Sequence, residues 1–334
     1  MKASIAAFAV AILATSLLLT PGGVAAATYN DTDILNFALN LECLEAEFYS
    51  WVAYGKGIAS IDSTLSGGTN LTATSSGGTI GSSNFSAATL AYATEVAENE
   101  INHVRFLRSA LGSLAVKCPS LSLSPVTFTV AAKAAVSAAG ATISSSTSTT
   151  AFDPYTVEDH FWLAAFIFED VGVTAYKGAV SVLADASLAS TASGIGAVEA
   201  MHAAVVRYQL YELASTPTGL MTSDGTNITF ATAVDAIATL RNTLGGTTSS
   251  SVENNLLRTP TSYTSSVNTT GQPNLFAVDS NAVAYTRSPH EVLNIVYFDT
   301  TTTPGGFFPD GISANSNLAL ATATPADKRC ARTS

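Results

Sequence analysis

Four long stretches of the chain repeat apolar residues at three- and four-residue spacing, the period of a helix with one buried face. The first opens at Asp31–Asp33, which can cap it, and runs to about Tyr54. The second runs from about Ala87 to Leu111 and stops at Gly112. The third is expected to begin with Asp153 as cap and Pro154 in the first turn, and to reach about Ala184. The fourth lies between about Thr191 and Leu213, ahead of Pro217. Phe230 to Leu244, closed by Gly245-Gly246, predicts a shorter fifth helix, and Pro289 to Val296 another short one. Ala131 to Thr150 starts with a helical pattern and dissolves into serines and threonines. Two-residue alternation is not sustained anywhere, so the expected fold class is all-α, a four-helix bundle of two helical hairpins with an irregular C-terminal region.

The apolar faces of the four long helices are interrupted in a regular way. The second helix reads Ala93, Val96/Ala97, Glu100, His103/Val104, Leu107, Leu111 along its inner stripe; the fourth reads Ile195, Val198/Glu199, His202, Val205/Val206, Gln209, Leu213. Each places a glutamate and a histidine three residues apart, hence side by side, on the face that should be dry. The third helix has Trp162, Ala165/Phe166, Glu169, Gly172/Val173, Tyr176, Val180; the first has Leu35, Ala38, Glu42, Glu45, Tyr49, Val52. A carboxylate on an apolar stripe is costly unless its charge is compensated, and a cation does this economically.

The order is Glu…Tyr then Glu-x-x-His, repeated, which reads as one helical hairpin used twice. Packed about a pseudo-twofold axis, the two copies would deliver one Glu from each of two helices and Glu-x-x-His from each of the other two, the ligand set of a dinuclear carboxylate centre. The candidates are Glu42 or Glu45, Glu100, His103, Glu169, Glu199 and His202. Oxygen and imidazole ligands suit iron or manganese, although zinc would also bind. Two iron ions are the expected cofactor, with manganese the alternative. Tyr49 and Tyr176 are placed either to hydrogen-bond ligand carboxylates or to act as ordinary core residues. Glu45, if it is not the ligand, and Glu47, Glu95 and Glu98 read as neighbours of the ligands or as surface, and Gly172 as a point of close helix approach or small-molecule access. His160 and His290 fall outside the pattern.

Composition narrows the setting. The 334 residues carry a net charge of −11 with only 12% charged residues and no basic run, which argues against nucleic-acid binding. Lys2 followed by an apolar run from Ile5 to Leu19, Pro21-Gly22-Gly23 and Ala25-Ala26-Ala27 predicts a signal peptide over residues 1–27, too short for a comfortable membrane span. A membrane anchor is the alternative reading. Asn30, Asn70, Asn84, Asn227 and Asn268 all stand in Asn-x-Ser/Thr, which suits a secreted glycoprotein, and the Gly/Ser/Thr-rich stretch 63–83 reads as an exposed loop. The division that follows is 28–246 for the helical domain and 247–334 for a mostly irregular extension. Cys43 sits in a helical pattern as a buried apolar residue, leaving Cys118 and Cys330 as the expected pair.

Three segments carry a resemblance: L-N-F-A-L-N-L-E-C-L-E-A-E-F-Y, F-E-D-V-G-V-T-A-Y, and S-P-H-E-V-L-N-I-V-Y followed by P-G-G-F-F-P-D-G. With these, the chain from about Asp31 to Gly311 resembles the ferritin-like desiccation-related proteins of plants and algae, which have stress-response relatives in fungi. The resemblance implies a ferritin-like bundle and an association with drying stress. Matched motif to motif, it implies Glu42 as the first ligand, since Tyr49 follows seven residues on, then Glu100 and His103, Glu169, and Glu199 and His202. Glu45 on the same stripe is a departure. Two functions are compatible with this: a metal-dependent oxidase that consumes dioxygen or peroxide or oxidises Fe(II), and a non-catalytic protective glycoprotein of the cell wall or secretory lumen.

Overall fold

The computed structural model describes residues 29–68, 84–245, 255–257, 271–279 and 281–313. The apolar run of 1–27, Asn70, Asn268 and Cys330 lie outside these residues. The elements are α1 (Asp31–Tyr54), α2 (Ile58–Ile61), α3 (Ala87–Leu111), α4 (Pro125–Ala138), α5 (Glu158–Val180), α6 (Ala186–Glu212), β1 (Pro217–Met221), β2 (Asn227–Thr229), α7 (Phe230–Leu244) and α8 (Pro289–Tyr297). Helix α1 packs along α3 and α5 along α6, so the bundle is two hairpins, as the repeat predicts.

The helix boundaries follow from caps. Asn30 and Asp33 form a reciprocal capping box at the start of α1, and Gly55 ends it in the left-handed conformation. The third long helix starts later than Asp153-Pro154 predicts. The Asp153 carboxylate accepts hydrogen bonds from Tyr155 N and Thr156 Oγ1, which fixes a turn, and the helix begins only at Glu158. The fourth starts earlier than Thr191, because Asp185 caps Ser187 and Leu188. Ser124, with Pro125 in the first turn, likewise starts α4 ahead of Ala131. The short antiparallel hairpin β1–β2 is a further difference from the sequence reading, its strands being too short for alternation to register.

Helix α1 is buried on every side from Asp33 to Ser50. Its inner face meets the other long helices, and its outer face is covered by returning chain. Asn36 clamps the backbone at 114–116, donating to Leu114 O and accepting from Val116 N. Asn40 treats Ser313 the same way, at 3.0 and 2.7 Å. Cys43 is joined to Cys118. That bond corrects both cysteine expectations: Cys43 is covalently paired, and Cys118 is not free to bond Cys330. Periodicity could show only that Cys43 was buried. Closing 75 residues of sequence separation, it constrains the unfolded chain by about 4 kcal/mol on a loop-entropy account.

Two apolar clusters fill the bundle. One is aromatic, with Phe48 against Tyr49, Phe128, Tyr155, Phe161 and Phe168, and it takes in Phe307, Phe308 and Val292 from the C-terminal region. The other holds Leu39, Cys43, Val104, Leu107, Tyr176 and Ile195. The C-terminal region therefore contributes directly to the core.

Behind α5 lies a buried ionic knot. Asp170 accepts from Arg207 Nε at 3.1 Å and from Arg241 Nη2 at 3.0 Å, and both guanidiniums lie over the Phe166 ring. Arg207 also donates to Asn274 O and Arg241 to Phe166 O, so the knot ties α6, α7 and the C-terminal region to α5. Removing one partner of such a cluster leaves buried charge uncompensated. Asp170→Asn is expected to cost about 3–5 kcal/mol in urea denaturation; an unchanged midpoint would show that the arginines find other partners.

His160 bridges two other elements. Its Nδ1 accepts from Asp153 N at 3.1 Å, its Nε2 faces Thr218 O of β1 at 2.9 Å, and its ring stacks on Phe152. The ring is thus held neutral, and burial lowers its pKa from 6.5 despite Asp153 and Asp159 nearby. For a base depressed by folding, the contribution is complete above the unfolded value and declines as pH falls below it. Denaturation midpoints should drop below about pH 6.5, and His160→Asn should flatten that part of the profile.

Candidate metal centre

The six residues matched by motif converge between the hairpins. His103 Nδ1 lies 3.1 Å from Glu42 Oε2, 3.1 Å from Glu100 Oε2 and 3.6 Å from Glu199 Oε1. His202 Nδ1 lies 3.2 Å from both Glu100 Oε1 and Glu169 Oε2. The ligand-type atoms fall into two overlapping groups, Glu42–Glu100–His103–Glu199 and Glu100–Glu169–Glu199–His202. Glu100 and Glu199 belong to both, the position of bridging carboxylates, while each histidine belongs to one.

The donor set fits cations. Glu100 Oε1, Glu169 Oε2, both oxygens of Glu199 and His202 Nδ1 are buried without a hydrogen-bond partner. Buried polar atoms in folded proteins are almost always satisfied, so five such atoms facing one point mark a ligand site. Charge says the same. Burial pushes Glu42 up to about 7 against the pull of His103. Burial, then the Glu100 charge, drives Glu199 and Glu45 well above the carboxylate range. Burial also works against Glu100, but the two adjacent histidines outweigh it and hold Glu100 down to about 2. Burial opposes the imidazolium charges too, yet the carboxylates raise His103 to about 11 and His202 to about 10. The cluster gathers protons because it holds too much negative charge, and divalent cations would replace them.

The tyrosines cross between hairpins. Tyr49 on α1 donates to Glu169 Oε1 on α5, and Tyr176 on α5 donates to Glu42 Oε1 on α1. Each leaves the other oxygen of its glutamate facing the centre. Of the two uses open to them in the sequence, carboxylate bonding is the one observed, and both are core residues as well.

Glu45 is buried beside the group, feels the charges of Glu100, Glu42 and Glu169, and stands outside both ligand groups. Glu47 is equally buried but points elsewhere, accepting from Ile58 N and Trp51 Nε1 at the turn after α1. Glu95 and Glu98 are exposed, and His290 lies on α8. Two residues of the centre's surroundings escaped the sequence reading. Asn99 approaches His202 Nε2 at 3.2 Å, and the Tyr92 hydroxyl donates to the His202 carbonyl at 3.1 Å. Asn99 sits at the edge of the apolar stripe, where its type carries no signal.

The ferritin-like domain family matches residues 30–212. The chain is 31% identical over 268 residues to the desiccation-related protein PCC13-62 of Craterostigma plantagineum, covering 79% of this chain and 76% of that one. This chain belongs to the ferritin-like desiccation-related family. It is also similar to the ferritin-like catalase Nec2 of Nesocodon mauritianus, at 28% identity over 283 residues, 84% of this chain and 83% of the relative.

Helices α5 and α6 approach closely at the carboxylate cluster, and Gly172 permits it. A Cβ at this position would collide with Glu199 Oε2 and lie 3.2 Å from its Cδ. Gly172→Ala should cost about 1–3 kcal/mol of stability in urea denaturation by displacing the Glu199 carboxylate. A variant of parental stability would show that Glu199 yields freely.

Proposed function

We propose that this chain is a secreted ferritin-like protein that holds two cations, iron foremost and manganese the alternative, and consumes peroxide with them. The observation that carries the reading is the pair of overlapping ligand groups sharing Glu100 and Glu199, with five buried ligand-type atoms that make no hydrogen bond. Glu42, Glu100, His103 and Glu199 would hold one cation; Glu100, Glu169, Glu199 and His202 the other. Similarity to a ferritin-like catalase supports peroxide as substrate.

When bound, the metal pair supplies the redox change that converts two peroxides into dioxygen and two waters. The chain supplies the rest. Tyr49 and Tyr176 keep Glu169 and Glu42 from rotating, each holding a proton on the oxygen that faces away from the centre. Phe161 and Phe168 in one apolar cluster and Val104 in the other are buried, and a dry surrounding strengthens each charge interaction inside. The histidine side chains, at 11% and 6% exposure, are the part of the centre nearest to solvent.

Export is supported by the N-terminal pattern and by the Cys43–Cys118 bond, since disulfides persist in oxidising compartments. Asn30, Asn84 and Asn227 are exposed, as glycan acceptors must be. Among the described residues no helix is long and apolar enough to cross a membrane.

The test is elemental analysis of the purified protein together with oxygen evolution from peroxide. The expected outcome is two metals per chain, with a Glu100→Ala/His103→Ala double variant losing the metal and at least about 100-fold in rate. Absence of stoichiometric metal after anaerobic Fe(II) loading would leave the non-catalytic protective reading in its place.

A further inference from the structure

We infer that the two cation positions are unequal: the His202 position retains its cation and the His103 position exchanges it. The inference rests on the metal reading above and concerns what lies behind each histidine.

The hairpin repeat is broken at this point. His202 Nε2 meets the Asn99 amide at 3.2 Å, and the backbone carbonyl of the same residue accepts from Tyr92. His103 Nε2 has no hydrogen-bond partner among the described residues, and the side chain is 11% exposed against 6% for His202. The sequence shows why. Asn99 immediately precedes Glu100, and the matching position before Glu199 is Val198, which can accept nothing. Tyr92 stands eight residues before Glu100, and the matching position before Glu199 is Thr191, whose hydroxyl is turned back to Ser187 O at 3.0 Å.

The chemistry makes this difference count. In both histidines Nδ1 faces the carboxylates, so a cation there requires a neutral ring with its proton on Nε2. Half a turn of the Asn99 amide presents its oxygen to that proton. A hydrogen bond on the outer nitrogen fixes the tautomer, stops the ring from swinging and raises the basicity of the ligating nitrogen. With the Asn99 amide so turned, His202 gains that support, and His103 has only solvent. Loading is therefore stepwise, and occupancy of the second position follows the cation supply outside the protein.

The experiment is an anaerobic titration of the full chain with Co(II), read by its visible absorption and by equilibrium dialysis. Two steps are expected, separated by about 10–100-fold in Kd. Asn99→Leu should weaken the first step until the two merge, and Asn99→Asp, which can also accept from Nε2, should restore the separation. Val198→Asn should tighten the second step, a gain that a merely structural role for these residues would not produce. Thermal midpoints of each variant identify any that misfold; should Asn99→Leu do so, Val198→Asn decides alone. Two cobalt ions bound with one common Kd, unmoved by either substitution, would overturn the inference and leave the metal centre standing. No stoichiometric cobalt in the parent protein would overturn the metal reading and this inference with it.

Discussion

Five glutamates are buried together in the middle of an apolar bundle, and most of the architecture answers to that burden. Glu42, Glu45, Glu100, Glu169 and Glu199 are at most 4% exposed. An ionised carboxylate taken out of water costs several kcal/mol even after relaxation, and like charges at close range add to this. Two histidines and two tyrosine hydroxyls offset part of the cost, and protons or cations must supply the remainder. The apolar clusters on either side hold such a group in place, and each contributes one of the bracing tyrosines. Tyr49 and Tyr176 therefore couple apolar packing at each side of the centre to the orientation of a carboxylate on the opposite hairpin.

Exclusion of water demands more chain than four helices provide. Helix α1, which carries two of the glutamates, is sealed on its outer face by the segment after α3 and by residues up to Ser313. Asn36 and Asn40 satisfy the backbone groups of those covering segments, which would otherwise be buried unpaired. The C-terminal region is accordingly a working part of the centre's insulation, inserting Phe307 and Phe308 into the aromatic cluster.

The inner layer was readable in the sequence because it obeys helical periodicity. Glu100 and His103, Glu199 and His202, Glu169 and Tyr176 all break apolar stripes at positions that periodicity makes conspicuous, and the repeat orders them. The outer layer was not readable for the same reason. Helix α1 is apolar or buried all round, so a stripe could be drawn through Glu42 and Glu45 but nothing distinguished Asn36, Asn40 or Cys43 as contact points. Asp170 and Arg207 look like surface residues until α7 and Asn274 are placed over them. The third helix starts later than expected because an Asp-Pro pair favours a helix cap and a turn alike, and here the Asp153 carboxylate holds a turn through Tyr155 N and Thr156 Oγ1.

The two hairpins also differ on their outer faces while both keep the ligand pattern. Glu42 and Glu169 correspond, and the residue after each is turned by about 100° toward the outside of the bundle. In the first hairpin that residue is Cys43, bonded to Cys118; in the second it is Asp170, bonded to Arg207 and Arg241. One position therefore anchors the outer layer in both halves, covalently in one and ionically in the other. Because each anchor is adjacent in sequence to a glutamate of the centre, the helix rotation that seats the anchor also aims the carboxylate. Rotation about α1 or α5 by one residue's worth would break the anchor as it moved the glutamate. The hairpins differ on the faces that bind the covering layers and in what stands beside the ligands, Asn99 against Val198 and Glu45 against Gly172, while the faces that meet at the centre keep their Glu, Tyr and Glu-x-x-His in register.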